Sequence, residues 1–493
     1  MLAIGLAAAL APAVGVADPA RSCPDLSPPP LSFAPKRTID TNRAGGEPVI
    51  IAAEDGSLNV SAHAGTTHLY KDPFAGPGYY DFLVGYANQT LNWRSDDGGN
   101  SWQYVGTAGL PQGPHSLTST GFSDPDYAMD LGGRIYNVEI DLANVAVFSS
   151  DDDGQSYNLA NPFVTAGDRP WVTGGEADEV YLYVNLPKQL WRSADAGITW
   201  ELVQLDFPAD GKLFRDPLDP ENGLIGPVGT RGGITNITFS DDKGQTWRTP
   251  QLSGSGLPGG TQFFGTIAVD DAGNVYAVSA GGYSGPSDTA PNGQVSVNVF
   301  VRDPDHPDGG EWQDPVQLDT PDGDALWPWI VAGEEGRVAL AWYQTERRPD
   351  GTYDPDTFHV YAAYSLNGTG QTPVTCDDGT VVAPRPAFDV VRASSSPIHV
   401  GDICLSGTTC NAATTPEGGD RRLGDFFSIG TDLAGRIVIA TGDTTRPNPL
   451  GGPKPVGNPV FIGQDGGAFL RTTPIEPRPT RCLANLAPLC DLP

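Results

Sequence analysis

The chain has 493 residues, with 60 acidic against 29 basic side chains for a net charge of −31, and it carries 62 Gly and 46 Pro. A surface this acidic repels phosphate backbones and anionic lipid, so nucleic acid and membrane surfaces are excluded as expected partners. Past the N-terminus no apolar run approaches the roughly 18 residues that a membrane-spanning helix needs. A hydrophobic fraction of 39% with ten Trp, sixteen Tyr and eighteen Phe is enough for a large core.

Residues 2–17 form an apolar stretch ending in the small-x-small pattern Gly15-Val16-Ala17, ahead of Asp18-Pro19. The stretch reads as a secretory signal over residues 1–17, although the usual basic start is missing and the first Arg is Arg21. A secreted, extracellular protein is therefore expected. The six cysteines fit that compartment, because an even number without C-x-x-C spacing points to disulfides rather than zinc. Cys404 with Cys410 and Cys482 with Cys490 have the spacing of local staples, which leaves Cys23 for Cys376. Fifteen pairings are formally possible.

From residue 45 onward one pattern recurs four times, Ser-x-Asp-x-Gly-x-(Ser/Thr)-aromatic. Its copies are Ser95, Asp97, Gly99, Ser101, Trp102; Ser150, Asp152, Gly154, Ser156, Tyr157; Ser193, Asp195, Gly197, Thr199, Trp200; and Ser240, Asp242, Gly244, Thr246, Trp247. They start 55, 43 and 47 residues apart, the period of a four-stranded propeller blade. Each copy reads as a hairpin: Ser and Asp offer acceptors to the turn backbone, Gly takes the positive φ, and the aromatic opens the next strand.

A second signature, an acidic-Gly turn leading into an alternating apolar strand, lies about 20 residues ahead of the boxes. It appears at Asp55-Gly56, Gly132-Gly133, Asp178-Glu179, Gly273-Asn274, Gly336-Arg337 and Gly435-Arg436. With the unit carrying the box at Ser240, these predict seven four-stranded antiparallel blades over 45–110, 115–163, 164–208, 209–255, 260–320, 323–392 and 418–470. The later blades have degenerate boxes and long Pro/Gly/Asp loops. Either residues 24–44 or the C-terminal segment is expected to close the ring. Residues 18–44 are read as an N-terminal segment, and 471–493 as a tail stapled by Cys482 and Cys490.

The fourfold pattern resembles the Asp-box, or BNR, repeat of sialidases and other secreted propellers. The region 397–427, from Pro397-Ile398-His399-Val400-Gly401-Asp402-Ile403-Cys404 to Arg421-Arg422-Leu423-Gly424-Asp425-Phe426, resembles a segment of secreted bacterial proteins labelled sialidase-like. Together the two resemblances cover most of the chain beyond the leader. They imply an all-β propeller, with six blades, the sialidase number, as the alternative to seven. They also imply that the box aspartates are structural turns on the outer part of each blade and take no part in catalysis.

In a propeller the first strand of every blade lines the central channel, and loops at one end of those strands form the ligand funnel. The residues just ahead of the acidic-Gly turns are Asp124-Pro125-Asp126-Tyr127, Asp168-Arg169-Pro170-Trp171, Phe214-Arg215-Asp216-Pro217, Phe263-Phe264, Trp327-Pro328-Trp329 and Arg421-Arg422 through Phe427. They offer the axis three arginines, Arg169, Arg215 and Arg422. The family resemblance implies a three-arginine clamp on a substrate carboxylate, which suits the planar guanidinium. Phe214-Arg215-Asp216-Pro217 resembles that family's F/Y-R-I-P motif, with Asp in the apolar place and a position after the third box rather than before the first. Alternatively, each arginine pairs with its own neighbour, Asp168, Asp216 or Asp425.

A retaining sialidase further needs a Tyr activated by Glu and a separate acid. Tyr343 with Glu346 is the candidate pair, and Asp126 or Asp124 the candidate acid. Trp171, Trp327 and Trp329 are candidates for stacking on sugar faces, with core packing as the alternative. No cofactor or metal is expected. The loops Asp303–Asp308 and Asp354–Asp356 are oxygen-rich enough for calcium but match no EF-hand spacing. The sequence thus predicts a monomeric, secreted hydrolase acting on an acidic sugar, with a carbohydrate or glycoconjugate as partner. The alternatives are a non-catalytic glycan- or protein-binding propeller, and another propeller glycosidase or lyase built on paired carboxylates.

Overall fold

The computed structural model describes residues 23–24, 26–41, 45–63, 90–107, 121–141, 144–230, 233–251, 264–283, 291–405, 421–446 and 457–478. The leader at 1–17, Cys410, Cys482 and Cys490 lie outside them. Within the described residues the chain is all-β, and seven antiparallel sheets surround one axis as a seven-bladed propeller. Six blades, the alternative number, does not describe it. No helix among the described residues is long and apolar enough to cross a membrane.

The innermost strand of each blade is its first: Gly46–Ala52, Gly121–Met129, Asp168–Gly174, Phe214–Arg215, Thr266–Val269, Ala325–Ala332 and Ser428–Thr431. The fourth blade has three strands, and the Phe239↔Arg248 bridge holds its outer place. The last blade borrows its outer edge from the start of the chain, where Ser32–Phe33 and Arg37–Thr38 pair with Asn458–Gly466. The first and last inner strands pack on each other, which closes the ring.

Strands such as Val180–Leu186 (VYLYVNL) are buried on both faces because each blade is sandwiched between two others. The core is accordingly divided into layers between blades. Val138 and Val147 of the second blade, for instance, meet Val172 and Leu182 of the third. Cys23 and Cys376 form a disulfide, and Cys404 is disulfide-bonded as well.

All four box turns join the third strand of a blade to its outer edge, and their hydrogen bonds are the same. The Ser hydroxyl accepts the Gly N–H at 2.8–3.0 Å and donates to the Asp carboxylate. The Asp accepts the backbone N–H and the hydroxyl of the following Ser or Thr, the latter at 2.6 Å each time. Each carboxylate is therefore spent on its own turn. A second device repeats in the acidic-Gly turns. Asp130 and Asp270 each accept two N–H groups of their own turn and a Tyr hydroxyl, plus an N–H from the next blade, Asp178 or Gly336.

The box turns have a measurable pH signature. Desolvation raises the Asp97 pKa, but hydrogen bonds from Ser101, Ser95 and Asn100 together outweigh it and lower the value from 3.8 to about 2. Its contribution to stability is therefore complete above its ordinary value and is lost as pH falls toward about 2. Asp97→Ala is expected to cost about 1 kcal/mol near neutrality, and less at pH 2. Equal losses at both pH values in urea denaturation would refute this account.

Candidate functional site

Four inner strands carry, near their start, a non-glycine residue in left-handed backbone: Glu47 (φ 49°), Asp124 (φ 58°), Arg169 (φ 58°) and Trp327 (φ 51°). Three of these fall at register shifts against the second strand. Such backbone costs about 1–3 kcal/mol per residue and persists where the surroundings enforce it. A bulge also re-aims the side chain it carries. All four lie opposite the far end of their second strand, so they meet at one mouth of the central channel.

Arg169 plugs that mouth. Its guanidinium carbon lies 3.8 Å from the ring centroid of Trp171, 3.8 Å from that of Phe426 and 4.7 Å from that of Phe264. Trp329 continues the aromatic layer, 5.5 Å from Trp171 and 5.6 Å from Phe426. These rings come from the third, fifth, sixth and seventh blades, so the layer spans the axis. Cation–π contacts partly replace the water that Arg169 has lost. Its three nitrogens nevertheless have no hydrogen-bond partner among the described residues, and its closest carboxylate oxygen is that of Asp124 at 4.0 Å.

Carboxylates surround this cation. Glu47 is buried, accepts the backbone N–H of Asp124 at 3.2 Å and of Asp425 at 2.8 Å, and lies 3.5 Å from His63. It thereby ties the first blade to the second and seventh. Gly424 is needed there, since it has φ 75° and any Cβ would collide with the Glu47 side chain. Asp168 sits at the rim beside Asp124. Loss of solvent around its carboxyl and the adjacent Asp124 charge raise its pKa. Arg421 is buried beside this group and paired with Asp425. Burial lowers its pKa, opposed by the charges of Glu47, Asp124 and Asp168. The mouth thus holds a guanidinium with unspent donors beside a carboxyl that keeps its proton to higher pH than usual.

The other expected site residues do not assemble there. Arg215 pairs in register with Leu224, the first residue of its second strand, and donates to Gly175 O at 3.2 Å, just beyond the end of Asp168–Gly174. Roughly 17 Å of strand, five residues at about 3.3 Å, separates that end from Arg169, so the two cannot clamp one carboxylate. Arg422 is half-buried next to Arg421. Asp126 lies further down the channel with both oxygens on Lys212, at 2.8 and 2.9 Å, and one also on the Val172 N–H.

Tyr343 lies on a second strand, fully buried, with its hydroxyl bonded to Thr441 Oγ1 at 2.8 Å and its ring stacked on Phe427. Burial raises its pKa. Glu346 accepts from Tyr361 at 2.6 Å and pairs with Arg392 at 3.3 Å, so Tyr343 and Glu346 do not touch as a pair. Trp171 and Trp327 are buried in the core, and Trp329 is half-buried between the aromatic layer and the channel. Among the described residues no group of three or more His, Cys, Asp or Glu could hold a metal ion.

Glu47, Asp168 and Arg421 were not singled out from the sequence. The signal for Glu47 is its place in Gly46-Glu47-Pro48, at the start of the first inner strand. Asp168 appeared only as the neighbour of Arg169, and Arg421 as the neighbour of Arg422.

The chain is 28% identical over 254 residues to a sialidase of Micromonospora viridifaciens, covering 47% of this chain and 32% of that protein. It is 31% identical over 137 residues to a xyloglucanase of Paenibacillus sp, covering 26% of this chain and 13% of that one. It therefore spans a third or less of the length of these curated relatives. No protein-family model matches. Among solved structures, YCF48 bound to D1 peptide aligns with 89% of this chain and 98% of its own at 12% identity, with a TM-score of 0.44.

Proposed function

We propose that this chain is an exported propeller glycoside hydrolase acting on an acidic sugar at the mouth closed by Arg169. One observation carries the reading: on adjacent inner strands, strained backbone holds Arg169, with its donors unspent, beside the neighbouring carboxyls Asp124 and Asp168. Strain and desolvation of this kind are concentrated at sites selected for chemistry. The sialidase and xyloglucanase relatives and the disulfide support a carbohydrate substrate and an oxidising compartment.

In this reading Asp168 is the general acid that protonates the leaving oxygen as the glycosidic bond breaks, Asp124 stabilises the positive charge at the anomeric carbon, and water then attacks that carbon and gives its proton to the Asp168 carboxylate. Arg169, supported by Arg421, supplies from beneath the mouth the positive charge that draws the anionic group of the sugar. This differs from the sequence reading in the acid, the anchors and the attacking group, which is water rather than Tyr343, while hydrolysis of an acidic sugar stays the same. A second reading has one observation in its favour. Both faces of Arg169 are covered by rings, as in a rigid recognition site, and a non-catalytic glycan-binding propeller would need nothing more.

Two substrates separate the readings. The full chain is expected to release fluorophore from a fluorogenic sialoside, and Arg169→Gln to lower kcat/KM about 10-fold or more, with a smaller effect on xyloglucan oligosaccharides. Absence of turnover on both substrates by the folded wild type would remove the hydrolase reading, and glycan binding would then be measured directly.

A further inference from the structure

The channel does not end at the aromatic layer. On its other side the inner strands of all seven blades enclose a cavity of about 580 Å³, within the range of small-molecule sites. Apolar side chains such as Val49, Ile51, Val172, Leu213, Val269 and Ile330 share its wall with polar surface of similar extent. Trp329 belongs to both the cavity and the layer, so the cavity lies across that layer from the Arg169 site.

The charges in this wall do not balance locally. Lys212 is spent on Asp126 and the Tyr127 carbonyl. Asp271 is held by both ends of the Arg471 guanidinium, at 2.6 and 3.0 Å. That leaves Arg215, half-buried, which among the described residues is bonded only to the Gly175 carbonyl and has no carboxylate within 4.0 Å. Asp130 is near enough to act on its charge, yet the Asp130 oxygens are already taken by Gly132, Arg134, Tyr136 and Asp178. Burial disfavours the charged form of Arg215. A desolvated guanidinium with unspent donors in such a wall is half of an ion pair.

We propose that this cavity is a second binding site, distinct from the Arg169 mouth, for a small organic anion: an apolar body in the channel and a single carboxylate on Arg215. Neither the hydrolase reading nor its test depends on it. The planar guanidinium can take the carboxylate bidentately, and the apolar part of the wall gains from covering the body of the ligand.

Octanoate is a suitable probe, and octanamide its neutral counterpart. The full chain would be titrated with each, following tryptophan fluorescence, which Trp329 in the wall reports, and calorimetric heat. Saturable binding of octanoate at one site is expected, with octanamide roughly 10-fold weaker or more. Arg215→Gln should lose a similar factor, and Arg215→Lys less, because the charge is kept and the fork is lost. No saturable octanoate binding, equal binding of the amide, or unchanged affinity in Arg215→Gln would each overturn the proposal. If Arg215→Gln does not fold, the amide comparison on the wild type and Arg215→Lys decide the matter.

Discussion

Asp168→Asn is expected to lower kcat on a sialoside by about 10²–10⁴-fold while leaving the fold intact, since general acid catalysis contributes on that order. The residue sits at the rim beside Asp124, so an amide of the same shape has little to disturb. The pH profile carries the sharper test. Desolvation and the Asp124 charge raise the Asp168 pKa, and the reaction needs its protonated form. Activity should therefore be high at acid pH and fall as pH climbs through that raised value. Asp168→Asn should remove this limb as well as the rate. A variant that keeps wild-type turnover, or keeps the same basic limb, would show that the acid lies elsewhere. The linkage to stability has a definite sign. The folded chain holds a proton that the unfolded chain gives up near 3.8, so Asp168 costs stability as pH rises from 3.8 through the raised value. That slope should vanish in Asp168→Asn when thermal midpoints are measured across the same range.

Much of the propeller could be read from the sequence because its repeated parts are local. Ser95, Asp97, Gly99 and Ser101 make their bonds within seven residues, so turn chemistry and period alone betray them. The site is different, since it is made of residues far apart in sequence that meet only at the axis. Arg421 and Arg422 lie in the turn ahead of Ser428–Thr431, where no alternation of strand faces tells which of the two is turned inward. From its place ahead of a turn, the sequence puts Arg215 at the mouth. The inner strand of its blade is only Phe214–Arg215, and it pairs with the beginning of the second strand. It therefore falls at the opposite end from Arg169. Trp171 looked like a sugar platform because aromatics at a funnel can stack on rings, but its partner in the structure is the guanidinium of Arg169. The Glu47 bonds to Asp124 and Asp425 span 77 and 378 positions, and no pattern of one chain shows such a bond in advance.

Glu47 should be the most sensitive position of the site for stability. Glu47→Gln keeps the shape but turns one acceptor into a donor, facing either the Asp124 or the Asp425 N–H. Breaking a buried charged network of this kind costs about 3–5 kcal/mol when a partner is removed, and an isosteric amide should cost roughly 2–3 kcal/mol. The backbone adds a contribution that can be measured on its own. At φ 49° an alanine is strained and a glycine is not, and both substitutions delete the carboxylate equally. Glu47→Gly is therefore expected to be more stable than Glu47→Ala by about 1 kcal/mol, the reverse of the usual order in a strand, where glycine is the weaker residue. Urea denaturation of the two variants at one pH reads the difference directly. If alanine proves the more stable, the left-handed backbone at Glu47 does not hold, and the case for strain at the start of the inner strands fails with it. If glycine does, the strain at Glu47 is real. Turnover in Glu47→Gly should then fall along with stability, because Asp124 loses the acceptor that fixes its N–H.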